Sequence, residues 1–141
     1  MSSPISTEDA PRPGGFYSQG VRAGGLIFVA GQLALDRAGK FTGGTMRDQA
    51  RQAMENVGAI VRAGGGTLAD LVQVTVYVTD IQYWGEFNEA YKEFMKDVPF
   101  PPARAVVPVK DLHFGALVEI QAIGAVRASP RRQPDRARAR G

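Results

Sequence analysis

The sequence predicts an α+β domain in which two helices cover one face of a mixed β-sheet. The first observation is that stretches of helical and strand periodicity occur in the order β-β-α-β-α-β-β. The second is that 141 residues, with 44% hydrophobic and 22% charged side chains, suit one globular domain. Two helices are too few to cover both faces of a sheet of about five or six strands. We therefore expect the uncovered face to associate with other copies of the chain.

Composition divides the chain into three parts. Residues 1–13 are polar and contain Pro and Ser, which predicts a flexible lead-in. Residues 14–127 form the predicted domain, and residues 128–141, with five arginines and one aspartate, predict a disordered basic tail. The tail contributes +4 to the net charge of +3, so the rest of the chain carries +3 − 4 = −1. A nearly neutral body does not predict a nucleic-acid partner, which only the tail would support.

Residues 14–66 predict a loop, a hairpin and a helix. The paired glycines before Tyr17 indicate a loop, and residues 20–32 predict a hairpin whose second strand is buried on both faces. Thr45 is a suitable N-cap with Asp48 at the capping-box position, so a helix is predicted over about 45–63. Apolar side chains recur along it at helical spacing, and three glycines end it.

Residues 71–96 predict a strand followed by the second helix. Val72, Val74, Val76 and Val78 alternate with polar residues and tyrosine, which predicts a half-buried strand with its valines under the first helix. Asp80 is the predicted cap of a helix over about 81–96. Its predicted apolar face contains Ile81, Trp84, Phe87, Tyr91, Phe94 and Met95, and Asn88 lies beside that face.

Two isolated charges of opposite sign lie in the last two predicted strands. Arg104 follows a proline cluster in an apolar strand, and Glu119 lies in a strand over about 116–125. Strands joined by one loop commonly pair, so we expect these two to be neighbours. One interpretation is a cross-strand ion pair that only satisfies both charges. The other is a divided site in which Arg104 binds a carboxylate while Glu119 orients or activates water.

Several classes of site are excluded or not expected. The chain has no cysteine and one histidine, His113, which excludes thiolate chemistry and a His-rich zinc site. His113 is predicted to be a solvated loop residue without a catalytic role. No apolar run approaches the roughly 20 residues of a membrane span. The N-terminus lacks the pattern of a secretory signal, so we expect a cytoplasmic protein.

Five motifs together resemble the reactive-intermediate deaminase family, also called RidA/YjgF. They are Tyr17-Ser18-Gln19, Phe28-Val29-Ala30-Gly31-Gln32, Phe87-Asn88-Glu89-Ala90-Tyr91, Pro102-Ala103-Arg104 and Gly115-Ala116-Leu117-Val118-Glu119-Ile120. The resemblance covers about residues 14–127. It implies a chorismate-mutase-like fold and a homotrimer with clefts between subunits. It also implies cofactor-free hydrolysis of small 2-imino acids, or their enamine tautomers, to 2-keto acids and ammonia.

The resemblance assigns roles to individual residues. It implies that Arg104 binds the substrate carboxylate through two hydrogen bonds and that Glu119 holds the attacking water. Tyr17 would close the cleft from a neighbouring subunit. Backbone groups of Gly31 and Val106 would contact the ligand.

Other positions qualify these roles. Asn88 matches a family position with a supporting role near the cleft. Ala30 and Ala105 stand where family members often have hydroxyl side chains, which affects the expected substrate choice or rate. Three alternatives stay open: a deaminase of another enamine such as an aminomuconate, a cofactor-free trimeric binding module for small carboxylates, and an RNA-binding or RNA-cleaving protein. The last is the least favoured, because only the basic tail supports it.

Overall fold

The computed structural model describes residues 1–126 as a six-stranded mixed sheet with two α-helices. The strands are β1 (Ser2–Ile5), β2 (Gly20–Ala23), β3 (Leu26–Gln32), β4 (Leu71–Val78), β5 (Ala103–Pro108) and β6 (Val118–Ala125); the helices are α1 (Met46–Ala63) and α2 (Trp84–Phe94). The sheet order is β1-β2-β3-β6-β4-β5. Within it β4 and β5 are parallel, and the other neighbours are antiparallel. The predicted α+β class with two helices is confirmed.

Helix α1 begins where the capping pattern predicted. The Thr45 hydroxyl accepts a hydrogen bond from the Asp48 backbone N–H at 3.2 Å, and the Asp48 carboxylate accepts one from the Thr45 N–H at 3.1 Å. This reciprocal box satisfies two backbone donors that the first turn cannot satisfy itself. The helix ends at Ala63, before Gly65 takes a φ of +95°. Glycine tolerates that left-handed conformation at little steric cost.

The core lies between the two helices and one face of the sheet, which we call the helix face. Fully buried side chains include Val74, Val76 and Val78 of β4, with Val118 and Ile120 of β6. They pack with Ala53, Met54, Val57, Ile60 and Phe87 of the helices. Burying each large apolar side chain contributes about 1.5–3 kcal/mol, so this layer is the main source of stability.

The opposite surface, the open face, has no covering layer within residues 1–126. Leu26, Phe28 and Val107 lie there with 41%, 40% and 38% of their surface exposed. Tyr77 lies beside Val107 in the register of β4 and β5. Exposed apolar side chains on an uncovered sheet face are typical of contact surfaces.

The prediction of a flexible lead-in over residues 1–13 is wrong. Residues 2–5 form β1, which pairs with β2, and Ile5 is only 7% exposed. The buried Gln19 side chain holds the following segment, because it accepts from the Thr7 N–H at 2.7 Å and donates to the Pro11 carbonyl at 2.9 Å. A short edge strand of Ser and Pro carries almost no side-chain periodicity, so backbone pairing alone reveals it. The observed element order therefore gains one strand at its start.

The expected pairing of the last two strands is also wrong. Strand β6 inserts between β3 and β4, and β5 lies beyond β4 at the edge of the sheet. Because β4 and β5 are parallel, α2 serves as the crossover that returns the chain to the same end of the sheet. Residues 128–141, predicted to be a disordered basic tail, lie outside the described residues.

Two smaller expectations fail for local reasons. Val72 is exposed rather than packed with the other valines, because the pairing register shifts between Leu71 and Gln73. The second helix starts as a 3₁₀ turn over Ile81–Tyr83 and becomes α-helical at Trp84, which leaves Ile81 and Trp84 partly exposed. In residues 1–126, neither helix has the length and apolar character needed to cross a membrane.

Candidate active site

Arg104 and Glu119 lie on opposite faces of the sheet. Arg104 is level with Val74, whose side chain is on the helix face, whereas Glu119 is level with Tyr77 on the open face. They are separated by two strand spacings and three residues of strand, which places their Cα atoms roughly 14 Å apart. Neither the expected ion pair nor a shared site therefore forms between these residues of one chain.

Aromatic rings surround the Arg104 guanidinium. Its central carbon lies 4.9 Å from the ring centroid of Tyr91 and 5.6 Å from those of Trp84 and Phe87. Within residues 1–126, no carboxylate lies within 4 Å of this guanidinium, and its N–H groups donate no hydrogen bond. Ring faces attract a cation without accepting its N–H bonds. The guanidinium is thus held while its donors stay available to a ligand.

Arg104 and Asn88 share a cleft of about 550 Å³ between α2 and the segment that leads into β5. Its remaining lining is Tyr91, Lys92, Met95, Lys96, Val98, Pro99, Phe100, Pro101 and Pro102. The charged members, Arg104, Lys92 and Lys96, are all cations, and the walls are mostly apolar. Such a cleft is suited to an anionic group attached to a hydrocarbon body.

The phenol of Tyr91 is a buried polar group without a partner. The side chain is 5% exposed, and its hydroxyl makes no hydrogen bond to the described part of the chain. Burial raises the pKa of this phenol, and the nearby positive charge of Arg104 lowers it to a smaller extent. The phenol therefore stays neutral at physiological pH, and the face of its ring is available to attract a cation.

Glu119 occupies a different environment beside Gly31. A β-bulge lies between Val29 and Gln32, and a Cβ atom placed on Gly31 would lie 3.0 Å from the carboxyl carbon of Glu119. Burial raises the pKa of Glu119, and the positive charge of His113 opposes this rise. A carboxylate with a raised pKa is a stronger base than an ordinary one, which suits it to accept a proton from water.

The other predicted site residues are also divided between the Arg104 cleft, the Glu119 region and a third location. Val106 lies on the helix face of β5, two residues after Arg104, and Gly31 belongs to the Glu119 region. Tyr17 is exposed, its hydroxyl accepts from the Gly14 N–H at 3.2 Å, and it lines a separate cleft formed by the N-terminal segment. One chain thus groups Arg104, Asn88 and Val106 apart from Glu119 and Gly31, with Tyr17 in a third place.

Sequence reasoning missed the rings around Arg104 and the influence of His113. The periodicity predicts only an apolar helix face for Trp84, Phe87 and Tyr91. Their contact with Arg104 depends on a parallel crossover that the predicted strand order lacks. The available signal was three aromatic residues at i, i+3 and i+7 just before an isolated arginine. His113 is exposed, as predicted, but it lies near enough to Glu119 to affect that residue's pKa.

Comparison with known proteins identifies relatives across nearly the whole described chain. A family model described as Endoribonuclease L-PSP matches residues 7–126. A RutC family protein from Pyrococcus horikoshii is 42% identical over 124 residues, covering 87% of this chain and 97% of that protein. The 2-iminobutanoate/2-iminopropanoate deaminase of Dermatophagoides farinae is 38% identical over 120 residues, covering 84% of this chain and 92% of that protein.

Solved structures share the fold. The YjgF gene product of E. coli has a TM-score of 0.84 and 37% identity, covering 89% of this chain and 99% of its own. A structure of E. coli TdcF with bound serine has a TM-score of 0.83 and 38% identity, with the same coverage of both chains. The fold that the sequence resemblance implied is therefore confirmed.

Proposed function

The chain belongs to the YjgF/RidA family, and from that premise we propose that it hydrolyses small 2-imino acids to 2-keto acids and ammonia. The observation that carries the proposal is the Arg104 guanidinium, held by aromatic rings in a cleft whose charged lining residues are all cations. One relative is named an imino-acid deaminase, and a similar solved structure holds the amino acid serine. Both names favour a small ligand with a carboxylate next to a nitrogen-bearing carbon.

The first proposed step is capture of the substrate carboxylate. The planar guanidinium of Arg104 can donate two parallel hydrogen bonds to a carboxylate, which fixes both the position and the orientation of the ligand. Asn88 borders the same cleft, and its side chain makes no hydrogen bond within residues 1–126. Its amide is available to support the bound ligand, and Val106 follows Arg104 by two residues on the same face of β5.

We propose that Glu119 acts on a substrate held by Arg104 of another copy. The two side chains lie on opposite faces of the sheet in one chain, so a neighbouring subunit must bring them together. Gly31 would arrive with Glu119, because it lies against that carboxylate. Tyr17 would close the cleft from a neighbouring subunit, which is consistent with its exposed position outside both groups.

A ring of three copies is the proposed assembly. The contact would join the edge at β5 and α2 of one copy to the open face of the next, and these two surfaces differ. Contacts between unlike surfaces do not make two-fold dimers, and they generate closed rings when the rotation between copies closes. The homotrimer implied by the sequence resemblance is one such ring, and its formation would also cover the exposed Leu26, Phe28 and Val107. Light scattering that gives three times the chain mass would support it.

The proposed chemistry balances with these groups alone. Glu119 accepts a proton from water as its oxygen attacks C2 of the imine, which forms a carbinolamine. That proton passes to the nitrogen. Glu119 then accepts the hydroxyl proton and delivers it to the same nitrogen, and as the C–N bond breaks, NH3 leaves and the C2–O bond becomes the carbonyl of the 2-keto acid. Holding the carboxylate at Arg104 and the water at Glu119 makes the attack effectively unimolecular.

Ammonia release from freshly generated 2-iminobutanoate tests the activity. We expect the wild type to accelerate release and Arg104→Ala to lower kcat/KM by about a hundredfold, as expected when a charge-assisted carboxylate contact is lost. Arg47→Ala is the matched control, because Arg47 makes an exposed ion pair with Glu93 at 2.6 Å that contributes about 0–1 kcal/mol. Equal rates for the wild type and Arg104→Ala would overturn the proposal.

The size and charge of the cleft favour a second candidate, the deamination of an enamine dicarboxylate of the aminomuconate type. About 550 Å³ exceeds the volume of a four-carbon acid, and Lys92 and Lys96 provide cations for a second carboxylate. A substrate panel separates the two candidates. Preference for the dicarboxylate that is lost in Lys92→Gln would favour the second, whereas turnover of 2-iminobutanoate unaffected by that change would favour the first. Carboxylate binding without turnover of either substrate would favour a binding module.

A further inference from the structure

We propose that Trp84, Phe87 and Tyr91 form an aromatic cage that positions the Arg104 guanidinium for carboxylate binding. The inference rests on the proposed carboxylate-binding role of Arg104 and assigns these three rings as positioning residues. All three ring centroids lie 4.9–5.6 Å from the guanidinium carbon, within the roughly 6 Å over which a ring face attracts a cation. Three such contacts on one side chain are more than packing of an apolar helix face requires.

The cage holds Arg104 without occupying its donors. A half-buried arginine usually has an internal carboxylate, which would accept the same two N–H bonds that a ligand needs. Within residues 1–126 this guanidinium has neither such a carboxylate nor another hydrogen-bond acceptor. Ring faces attract the guanidinium charge without accepting its N–H bonds, so these donors are left for the ligand. A ligand carboxylate therefore meets a fixed arginine and does not displace an internal competitor.

The three rings differ in what the fold requires of them. Phe87 is fully buried, Tyr91 is 5% exposed, and their centroids are 5.6 Å apart, so both belong to the core as well as to the cage. Trp84 is 43% exposed at the first residue of α2 and lies outside the buried core. Packing of the core therefore does not require Trp84, and we assign its ring a role in holding the guanidinium.

A cage that positions Arg104 should affect binding more than the chemical step. Loss of one ring lets the guanidinium sample other positions. Ligand binding must then also order the guanidinium, which lowers the affinity. The Glu119 carboxylate, which acts on the water, lies on the other face of the sheet and is not touched by Trp84. Removing Trp84 is thus expected to raise KM and the Kd for carboxylates while kcat changes little.

The test compares Trp84→Leu with Trp84→Phe, since only the second keeps an aromatic face. We would measure the Kd for 2-ketobutyrate by calorimetry, KM and kcat for 2-iminobutanoate, and the Nε–H resonance of Arg104 by NMR. Trp84→Leu should weaken 2-ketobutyrate binding by about twofold to fivefold, as loss of one partly exposed cation–π contact implies. It should keep kcat within about twofold and move the Nε–H resonance away from its ring-shifted position. Trp84→Phe should restore most of each change.

Unchanged Kd and unchanged Nε–H resonance in Trp84→Leu would overturn the cage. So would a Trp84→Phe variant that is as impaired as Trp84→Leu, because that result indicates a shape requirement for tryptophan rather than a cation–π contact. Failure of the deaminase proposal looks different. In that case wild-type protein would release no ammonia, yet 2-ketobutyrate affinity and the Nε–H resonance would still respond to the Trp84 variants as predicted.

Discussion

The two faces of the sheet give an isolated charge different environments. On the helix face, Arg104 is surrounded by rings of α2 that attract its charge. On the open face, Glu119 is partly buried beside Gly31, and burial disfavours its charge and raises its pKa. One environment keeps its cation in place, and the other makes its anion a stronger base.

Within residues 1–126, neither charge makes an ion pair within 4 Å, although His113 lies near enough to Glu119 to oppose the rise in its pKa. Pairing them would satisfy each charge and leave neither available to a ligand. Placing them on opposite faces of the sheet prevents that pairing within one chain, and a composite site between copies would then use both. In the proposed composite site, separation of the two charged residues within the chain keeps both available to a ligand.

The largest expected effect comes from changing the charge on the open face. Glu119→Gln should lower kcat by about 10²–10⁴-fold, the contribution typical of a general base. Wild-type activity should fall with decreasing pH as Glu119 protonates, over a range above the ordinary pKa of glutamate. A pH profile of kcat/KM measures this, and a midpoint at or below the ordinary glutamate pKa would contradict the proposed environment.

The same variant should not destabilise the fold. Because the folded-state pKa of Glu119 is raised, the folded protein binds this proton more tightly than the unfolded chain does. Stability contributed by protonated Glu119 is present below the unfolded pKa and is lost as pH rises through the folded pKa. At neutral pH the ionised group therefore opposes folding, and Glu119→Gln should leave Tm unchanged or raise it. A lower Tm at neutral pH would indicate an unrecognised structural partner.

Two glycine substitutions distinguish a site position from a structural one. In Gly31→Ala the new Cβ would lie 3.0 Å from the Glu119 carboxyl carbon, so that flexible side chain must move by a few tenths of an ångström. We expect kcat/KM to fall by about tenfold with Tm nearly unchanged, because displacement of a catalytic group by about 1 Å is enough to lower rates up to a hundredfold.

Gly20→Ala is the matched structural change. Its Cβ would lie 2.8 Å from Ile60 Cγ2 and 3.0 Å from the Phe28 carbonyl oxygen, which cannot move without shifting the strand. We expect a loss of about 1–3 kcal/mol in the free energy of unfolding, as for other overpacked core positions. Chemical denaturation measures both variants. A larger loss of stability in Gly31→Ala than in Gly20→Ala would reverse their assignments.

The smallest expected effect concerns the buried hydroxyl of Tyr91. In residues 1–126 this hydroxyl has no hydrogen-bond partner. Its loss of water on folding is therefore not offset by a new hydrogen bond. Tyr91→Phe removes the hydroxyl, keeps the ring beside Arg104, and should raise the free energy of unfolding by about 1 kcal/mol. Urea denaturation checks the sign, and a decrease of similar size would indicate a partner for the hydroxyl.

Periodicity and capping predicted the elements, whereas strand pairing decided the site. Thr45 and Asp48 defined the start of α1, and alternation defined β4 and β6 closely. The sheet order was not predictable from these patterns, because it depends on the parallel crossover and on backbone pairing of the weakly patterned β1. Arg104 and Glu119 were recognisable as isolated charges. Only the register with Val74 and Tyr77 places them on opposite faces.

Subunit complementation tests the composite site most directly. Arg104→Ala and Glu119→Gln should each be nearly inactive alone, because each lacks one half of every site. When the two chains are unfolded together and refolded as a mixture of equal amounts, a composite site in a random ring has both halves intact in about one quarter of cases. We predict recovery of about a quarter of wild-type activity. No recovery in mixed assemblies of folded chains would contradict a site shared between subunits.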